Sequence, residues 1–397
     1  MPKYKLRKVL INGGVVSDEK CSNLGFPSIP SIVNTDRSVT AKIIAIGDIH
    51  GDLDLAINCL EIAGVIERTY IFDDKSCVWL KYKDEPTPRI YKWIGKNTIV
   101  VQVGDQVDRC RPYLNECTHP DETPNDESSD ITIMFFFHDL HLVSINHPGC
   151  AVYSLLGNHE LLNVLGNLRY VSYKGLEEFR TDLSNDLLSG RIQAFKIDSS
   201  NLYYKSKTNI ANFMACSRVS SIIVDKYLFV HAGILEKLID YTTKQVGSTK
   251  LESTKIINET IRKWLLNLDT IDDKDYINKL LGNKQLSPFW PRIFGNLPSD
   301  LDRSNKLCSK YVEPVLQDLN LKGIVVGHTP QLKVGINSTC SSSVWRIDVA
   351  SSQAFDKIMK KDFEMTQDKI KSIRQPQVLE ITLGSDQIQD SFKVLKK

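Results

Sequence analysis

Side chains of the types that bind metal ions follow five short apolar runs of the sequence. They offer carboxylate, amide and imidazole groups without thiolate, a set that suits borderline to hard divalent ions such as Mn, Fe or Zn. Taken singly, each has an ordinary alternative: a polar turn, a helix N-cap or a core histidine. Together they predict one metal site, whose candidate ligands are Asp48, His50, Asp105, Asn158, His231 and His328.

The number of candidate ligands favours two metal ions over one. Six protein ligands exceed the set that a single zinc-type site uses, and an aspartate such as Asp105 can bridge two ions. Two ions about 4 Å apart stabilise the attacking and leaving oxygens of an in-line displacement and lower the pKa of a bridging water. We therefore predict phosphoester hydrolysis by attack of a metal-bridging hydroxide.

The elements that must position these residues are predicted by the same runs. Short apolar runs that end near a glycine are typical of buried strands, and the stretches between them have helical periodicity. Alternation of strand and helix favours an α/β fold, in which ligands bind beyond the carboxyl ends of the strands. The predicted strands are 42–47, 98–104, 151–157, 226–233 and 323–328, and the predicted helices are 53–66, 131–145, 175–188 and 253–268.

Other segments predict additions to this core. Residues 68–97 alternate apolar and polar side chains around a proline-containing turn, which predicts a hairpin excursion. Residues 115–130 carry six acidic residues and two prolines and predict a mobile acidic loop. Runs from residue 332 onward predict strands of a second sheet, and residues 390–397 are expected to fray. We divide the chain into an N-terminal extension (1–40), a catalytic domain (41–385) and a C-terminal tail (386–397).

The composition argues against several kinds of partner. Lys and Arg number 50 against 48 Asp and Glu, and the net charge of +2 predicts neither a nucleic-acid nor an acidic-membrane partner. No apolar run approaches 18 residues, and the basic N-terminus lacks a signal-peptide cleavage pattern, so we expect a cytoplasmic protein. Nine cysteines without a CxxC pair predict reduced thiols. The sequence gives no indication of the oligomeric state.

The motifs at the strand ends resemble those of a known family. GDIHGD, GDQVDR, GNHE, HAG and GHTP resemble the signature of the PPP-type phosphoprotein phosphatases, within the calcineurin-like metallophosphoesterases. WIGKNTIVVQVGDQVDR, LLGNHE, HAGI and SPFWPR resemble most the bacterial-type, Shewanella-like branch. The resemblance spans roughly residues 41–350 and implies a layered α/β (α+β) fold, with a central β-sandwich of two mixed sheets flanked by helices.

The resemblance also implies how the ligands divide between the two ions. By this resemblance Asp105 would bridge the two ions. The first ion would be held by Asp48, His50 and Asp105, and the second by Asp105, Asn158, His231 and His328.

Four further residues match family positions that act on the substrate. His159 matches the proton donor to the leaving oxygen, and Asp108 the carboxylate that orients it. A serine alkoxide is a poor leaving group, so such a general acid is valuable. Arg109 and Arg292 match the two arginines that bind phosphate oxygens, for which the planar guanidinium is suited.

Two positions depart from the family pattern. Cys110 replaces the glycine of GDxVDRG, and a positive φ there would strain a cysteine and affect the aim of Arg109. Cys110 is either an oxidisable thiol at the site rim or a passive substitution. Pro330, in GHTP, stands where phosphodiesterases of the wider superfamily carry a second histidine, which weakens a diesterase or nuclease interpretation.

Three functions are compatible with these motifs. The leading hypothesis is a phosphomonoesterase that acts on phosphoserine, phosphothreonine or phosphotyrosine in proteins. A dinucleoside polyphosphate hydrolase is the alternative, because HAGI also occurs in that branch, although GNHE and SPFWPR argue against it. A non-catalytic phosphate-binding scaffold is third, but no candidate ligand is missing.

Two features leave alternatives open. His138 and His141, three residues apart, could share a helix face and hold a third metal, or they could be ordinary helix histidines. The acidic loop 115–130 could favour basic phosphopeptides at the site rim, or it could have no binding role.

Overall fold

Strand residues near the predicted site alternate between two apolar layers. In the strand Ala41–Ile46, Ile43 packs between two sheets, while Ile44 packs against helices on the outer side. Phe229 and Leu228 do the same in a strand of the opposite sheet. Because successive side chains of a strand point to opposite faces, both sheets are buried on both sides. The computed structural model describes residues 16–36, 38–180, 186–197, 208–361, 364–384 and 389–397.

The strands form two six-stranded mixed sheets and one small three-stranded sheet within these residues. The first sheet has the order β15-β14-β2-β6-β7-β8, the second β1-β9-β10-β11-β13-β12, and the small sheet β3-β5-β4. The strands are β1 (Ile32–Val33), β2 (Ala41–Ile46), β3 (Ile66–Thr69), β4 (Cys77–Leu80), β5 (Arg89–Trp93), β6 (Thr98–Gln102), β7 (Ala151–Leu155), β8 (Arg218–Val219), β9 (Ser221–Val224), β10 (Tyr227–Val230), β11 (Gly323–Val326), β12 (Asn337–Thr339), β13 (Val344–Arg346), β14 (Gln377–Leu383) and β15 (Ser391–Lys396).

Helices cover the outer faces of both large sheets. Those at Leu53–Ile62 and Asp130–Ser144 pack on the first sheet, and Ser253–Leu265 packs on the second. The remaining helical segments are 16–23, Asn158–Val164, Tyr173–Glu177, Ser189–Phe195, Ile210–Ser217, Glu236–Val246, Lys250–Glu252, Lys274–Gly282, Lys306–Tyr311, Glu313–Asp318, Gln353–Phe355, Asp356–Lys361 and Gln367–Ile373.

All five strands predicted to carry the site are present. β2, β6 and β7 run parallel in the first sheet, and β10 and β11 run parallel in the second. The expected β-sandwich with outer helices is thereby confirmed. The excursion at 68–97 contains the expected hairpin, β4 and β5, and gains β3 on the other side of β5. The predicted helix at 175–188 covers less than expected, since a helix is present at Tyr173–Glu177 and residues 181–185 lie outside the described chain.

The C-terminal part differs from the prediction. β14, expected in a second sheet, pairs antiparallel with β2 of the first sheet, which carries half of the site. Residues 332–336, expected to begin a strand, precede β12 as turn and loop. The end of the chain does not fray, because β15 pairs along its length with β14. The division at residues 40 and 385 stays a prediction, and residues 1–15 of the extension lie outside the described chain.

The cysteines also differ from the prediction of reduced thiols. Three disulfides are present, Cys21–Cys216, Cys110–Cys117 and Cys308–Cys340, whereas Cys59, Cys77 and Cys150 are free and buried. The fold brings the paired Cα atoms to 5.2–5.9 Å across sequence separations of 195, 7 and 32 residues. Such pairs have no spacing motif, so the sequence could not show them. The cytoplasmic location stays a prediction and loses this support, because disulfides persist in oxidising environments.

Candidate active site

The six predicted metal ligands converge between the carboxyl ends of the two large sheets. Four follow β2, β6 and β7 of the first sheet, and two follow β10 and β11 of the second. All are buried, with exposed fractions of 0–7%. The site therefore lies where two sheets meet and not at the edge of one. From the first sheet come Asp48, His50, Asp105 and Asn158, and from the second His231 and His328.

Asp105 lies at the centre of this cluster. His231 Nε2 lies 3.3 Å from Asp105 Oδ2 and 2.9 Å from Asn158 Oδ1. His50 Nε2 lies 3.8 Å from the same Asp105 oxygen and 3.8 Å from Asp48 Oδ2. Two groups with metal-ligand geometry share Asp105, as a bridging role requires. Ligand atoms within each group lie within 4.8 Å of one another, and the groups are His50, Asp105, His159 and Asp105, His231, His328.

The backbone at these residues adopts conformations that are rare for side-chain-bearing residues. His50, Asp105 and His328 have φ values of 46°, 52° and 64°, and Asp108 has 72°. Such left-handed residues cost of order 1–3 kcal/mol each and persist only where the surrounding structure enforces them. The strand-end loops are therefore held in place by their packing.

The glycines that precede the ligands have a steric reason. A Cβ at Gly157 would lie 2.1 Å from Asp105 Oδ1, and one at Gly327 would lie 2.3 Å from Asp48 Oδ1. Any other residue would displace a ligand of the neighbouring loop. The sequence pattern of an apolar run, a glycine and a ligand thus reflects close contact between loops.

The histidines of the cluster are oriented in a way that suits metal binding. Nδ1 of His231 bonds Val103 O at 3.0 Å, and Nδ1 of His50 bonds Val107 O at 3.2 Å, so each Nε2 lone pair faces the cluster. Burial lowers the pKa of His50 and His328 well below the usual range, helped by Arg111 and His231 respectively. His328 Nε2 is buried and has no hydrogen-bond partner among the described residues. These nitrogens fit divalent metal ions.

The carboxylates of the cluster have histidines as their nearest partners, and none pairs with a Lys or Arg side chain within 4.0 Å among the described residues. Burial raises the pKa of Asp48 well above its usual value, and the nearby Asp348 and Asp105 raise it further. Asp348, which the sequence analysis missed, lines a cavity at the cluster together with Asp48 and Asp105. Burial raises its pKa to about 6. It follows the apolar strand β13, which is the signal that could have found it. An added cation would stabilise these charges.

His159 and Asp108 form the predicted pair. His159 Nδ1 lies 2.7 Å from Asp108 Oδ2, and its backbone N–H donates to Asp105 Oδ1 at 2.9 Å. Asn163, one helical turn after His159, donates from Nδ2 to Asp108 Oδ1 at 2.8 Å, and Arg191 Nε donates to Asn163 Oδ1 at 2.7 Å. This series of hydrogen bonds fixes the Asp108 carboxylate, and His159 Nε2 faces the cavity at the cluster.

Glu160 of the GNHE motif fixes the loops and lies outside the ligand set. Its carboxylate accepts from the backbone N–H groups of Asp105, Gln106 and Gly157 at 3.0, 2.7 and 2.7 Å. It thereby ties the loop after β6 to the loop after β7. The sequence analysis quoted the motif but assigned this residue no role.

A cavity of about 820 Å³ opens above the cluster. Arg292, which is predicted to bind phosphate, lines this cavity and is exposed. Other cations and aromatic side chains line the same cavity. They are Arg111, Arg169, Lys284, Tyr170, Trp290 and Phe355.

Arg109 is not brought to this cavity. Its Nη1 donates to Gly51 O at 2.9 Å and Glu127 Oε1 at 3.1 Å, and its Nη2 donates to Asn125 O at 3.1 Å. The side chain is 2% exposed. The predicted contact of Arg109 with phosphate is therefore absent from this arrangement, because Glu127 holds the guanidinium on the other side of the loop.

Three carboxylates of the acidic loop 115–130, those of Glu122, Glu127 and Asp130, are bound to other parts of the protein. Glu122 accepts from the backbone N–H groups of three residues, 113, 114 and 115, and pairs with Lys357 at 3.3 Å. Asp130 pairs with Arg191 at 2.6 Å, and Glu127 with Arg109 and Lys83. These contacts support a structural role.

Cys110 is neither strained nor a free thiol. It does not have a positive φ, and it is bonded to Cys117. His138 and His141 follow the ordinary alternative: the His138 ring packs 5.4 Å from that of Phe213, and His141 Nδ1 bonds Val152 O at 2.8 Å. Neither belongs to a metal-type group among the described residues.

Comparisons with known proteins agree with this geometry. The sequence model of the calcineurin-like phosphoesterase family matches residues 41–332. The chain therefore belongs to the calcineurin-like phosphoesterase family. This membership confirms the expected enzyme, a phosphoric monoester hydrolase resembling the protein phosphatases.

Individual relatives extend the likeness over most of the chain. Shewanella-like protein phosphatase 2 of Arabidopsis thaliana is 24% identical over 377 residues, which cover 85% of this chain and 79% of that protein. Uncharacterized protein R398 of Acanthamoeba polyphaga mimivirus is 37% identical over 252 residues, which cover 59% of this chain and 96% of that protein. The crystal structure of a cold-active protein-tyrosine phosphatase from a psychrophilic Shewanella shares the fold, with a TM-score of 0.55 and 18% identity. The match covers 93% of this chain and 83% of that structure.

Within the described residues, every helix is too short or too polar to span a lipid bilayer.

Proposed function

We propose that the chain is a dinuclear-metal phosphomonoesterase that acts on phosphorylated proteins or peptides. The observation that carries this proposal is Asp105. It belongs to both metal-type groups, lies near the buried carboxylates of Asp48 and Asp348, and accepts from the backbone N–H of His159, the predicted acid. When bound, two divalent ions (Mn, Fe or Zn) would supply a Lewis acid and an activated water.

The chain's own residues would then hold and move the proton. Asp108 accepts from His159 Nδ1 and holds the imidazole ring in its orientation. His159 Nε2 donates its proton to the leaving oxygen of the ester as the bond to phosphorus breaks. Asn163 keeps Asp108 in position through Oδ1. The pair thus assists loss of a serine or threonine alkoxide more than loss of the less basic tyrosine phenolate.

The cavity supports a substrate that is anionic and larger than orthophosphate. Arg111, Arg169, Lys284 and Arg292 line it together with aromatic side chains. Two comparison proteins are named as protein phosphatases, one of them a tyrosine phosphatase. These names support protein substrates and leave the choice between phosphoserine, phosphothreonine and phosphotyrosine open.

Side-by-side turnover tests this proposal. The protein is loaded with Mn, Fe or Zn and given phosphoserine, phosphothreonine and phosphotyrosine peptides, together with diadenosine tetraphosphate. We expect metal-dependent release of orthophosphate from at least one peptide and none after chelation. Preference for diadenosine tetraphosphate would favour the dinucleoside polyphosphate hydrolase, and lack of any hydrolysis would favour the phosphate-binding scaffold. The Asp105→Asn variant, prepared identically, controls for contaminating phosphatases.

A further inference from the structure

Arg109 and Arg111 flank Cys110 and send their side chains to opposite sides of one loop. The Arg109 guanidinium is engaged by Glu127 Oε1 at 3.1 Å and by Asp52 Oδ2 at 3.7 Å. Two backbone carbonyls take further N–H groups. To bind a phosphate, Arg109 would have to leave a buried ion pair, which is costly.

Arg111 extends into the cavity toward the metal cluster. Its Nη2 lies 2.8 Å from His50 Nε2, and because a guanidinium only donates, the imidazole nitrogen is the acceptor. Its Nη1 donates to the carbonyls of Asp108 at 3.1 Å and Cys110 at 2.8 Å. Of the carboxylates that the structure describes, none makes an ion pair with Arg111 within 4.0 Å. Its charge is therefore directed at the site without a paired anion.

The position of Arg111 is fixed from several sides. Cys110 before it is bonded to Cys117, and its backbone N–H donates to Tyr170 O at 3.0 Å. Pro112 after it restricts the backbone of Arg111 to extended conformations. The guanidinium lies 4.7 Å from the ring centre of Phe355 and 5.5 Å from that of Tyr170. A donor held in this way loses little conformational entropy when it binds an anion.

We propose that Arg111, together with Arg292, binds the phosphoryl group of the substrate, and that Arg109 is a positioning residue of the loop. This inference rests on the proposed function. A metal ion at His50 Nε2 would take the lone pair that Arg111 now uses, and the Nη2 donor would then be available to a phosphate oxygen. A guanidinium that can give two N–H groups to one phosphate is matched to this acceptor.

Affinity for orthophosphate, the product, tests the proposal directly. The probe is inorganic phosphate, titrated calorimetrically into the metal-loaded protein and used as a competitive inhibitor of nitrophenyl phosphate hydrolysis. The variants are Arg111→Ala, Arg111→Lys and Arg109→Lys. Arg303→Ala, which removes an exposed arginine outside the cavity, is matched for loss of one charge. Metal content and melting temperature are measured on every sample.

We expect Arg111→Ala to weaken orthophosphate binding about 10- to 100-fold, the typical value of a hydrogen bond to a charged group, with metal content retained. Arg111→Lys should restore part of the affinity, and Arg303→Ala should match the wild type. Arg109→Lys should lower the melting temperature and leave orthophosphate affinity within about threefold of the wild type, because Arg109 stabilises the loop through a buried ion pair.

Unchanged affinity in Arg111→Ala, or loss of metal from it, would overturn the assignment of Arg111 while the proposed function stood. A larger loss of affinity in Arg109→Lys than in Arg111→Ala would also overturn it. A wild-type protein that binds metal but neither binds orthophosphate nor hydrolyses a monoester would instead overturn the proposed function, and this inference with it.

Discussion

Carboxylates are concentrated in two regions of the molecule, the acidic loop and the cluster at the strand ends, and the two are neutralised differently. In the loop, Glu127 pairs with Arg109 and Lys83, and Asp130 pairs with Arg191. In the cluster, none of the carboxylates has a Lys or Arg nitrogen within 4.0 Å in the part of the chain that the structure describes. The cluster carboxylates are Asp48, Asp105 and Asp348.

The difference separates a structural acid from a functional one. A buried carboxylate with its own cation completes the fold, and removing it leaves an uncompensated positive charge. A buried group of carboxylates without Lys or Arg partners is unfavourable by itself and would be stabilised by a bound metal ion. Amino-acid composition does not distinguish the two regions, because both contain acidic residues.

The largest expected effect is at Asp105. Asp105→Asn removes charge at both proposed ions, so we expect activity to fall by at least about 10⁴-fold, the upper range of single-group catalysis, since both metal sites are affected. Metal content, measured by mass spectrometry, should fall with it. Full activity in this variant, or in a chelated metal-free sample of the wild type, would contradict the mechanism.

The His159–Asp108 pair comes next. His159→Asn should lower turnover of phosphoserine peptides by about 10²–10⁴-fold, the usual value of general acid catalysis, with both ions retained. Nitrophenyl phosphate, whose leaving group needs less protonation, should lose less. Asp108→Asn should show the same pattern more mildly.

Loss of metal from His159→Asn would make His159 a ligand, which is the alternative that its membership of a metal-type group raises. Equal slowing of both substrates would make it a positioning residue.

Substitution of Glu127 tests whether the carboxylates of the acidic loop have a structural role. Glu127→Gln leaves the Arg109 guanidinium buried beside a neutral group, and we expect a loss of about 2–4 kcal/mol in the free energy of unfolding. Chemical denaturation followed by circular dichroism measures this value. Glu313→Gln, which breaks an exposed pair with Arg303, is the control and should cost about 0–1 kcal/mol. Equal effects of the two substitutions would remove the distinction between the regions.

Substitution of Asp348 should have the smallest effect, and it should raise the free energy of unfolding where substitution of Glu127 lowers it. Burial raises the pKa of Asp348 to about 6 in the folded protein, above the ordinary value of an aspartate. As pH rises from about 4 to 6, the unfolded chain therefore releases this proton first, and the metal-free protein loses stability. Asp348→Asn should stabilise the metal-free protein by about 1–3 kcal/mol above pH 6 and by nothing near pH 4. Destabilisation at pH 7 would make Asp348 a structural acid like Glu127.

The strands and the convergence of the candidate ligands could be predicted from the sequence because that information is local. An apolar run followed by glycine and a ligand is contained within about ten residues, and the steric need for Gly157 and Gly327 gives the pattern a physical cause. β2, β6, β7, β10 and β11 were all found for this reason.

What the sequence missed depends on distant partners. The direction of Arg109 is decided by Glu127, 18 residues later, and nothing near Arg109 signals it. β15 joins the sheet because β14 offers it an edge, and Cys21 finds its partner 195 residues away. Asp348 follows its strand at the same kind of position as the predicted ligands, but it matched no motif.

The disulfide between Cys21 and Cys216 makes a covalent ring of the chain between these residues. Asp48, Asp105 and Asn158 lie inside the ring, whereas His231 and His328 lie outside it. A protease that cuts the backbone once within the ring releases no fragment, because the cystine still joins the two pieces. A nicked sample would therefore migrate as one chain on a denaturing gel and separate into two only after reduction.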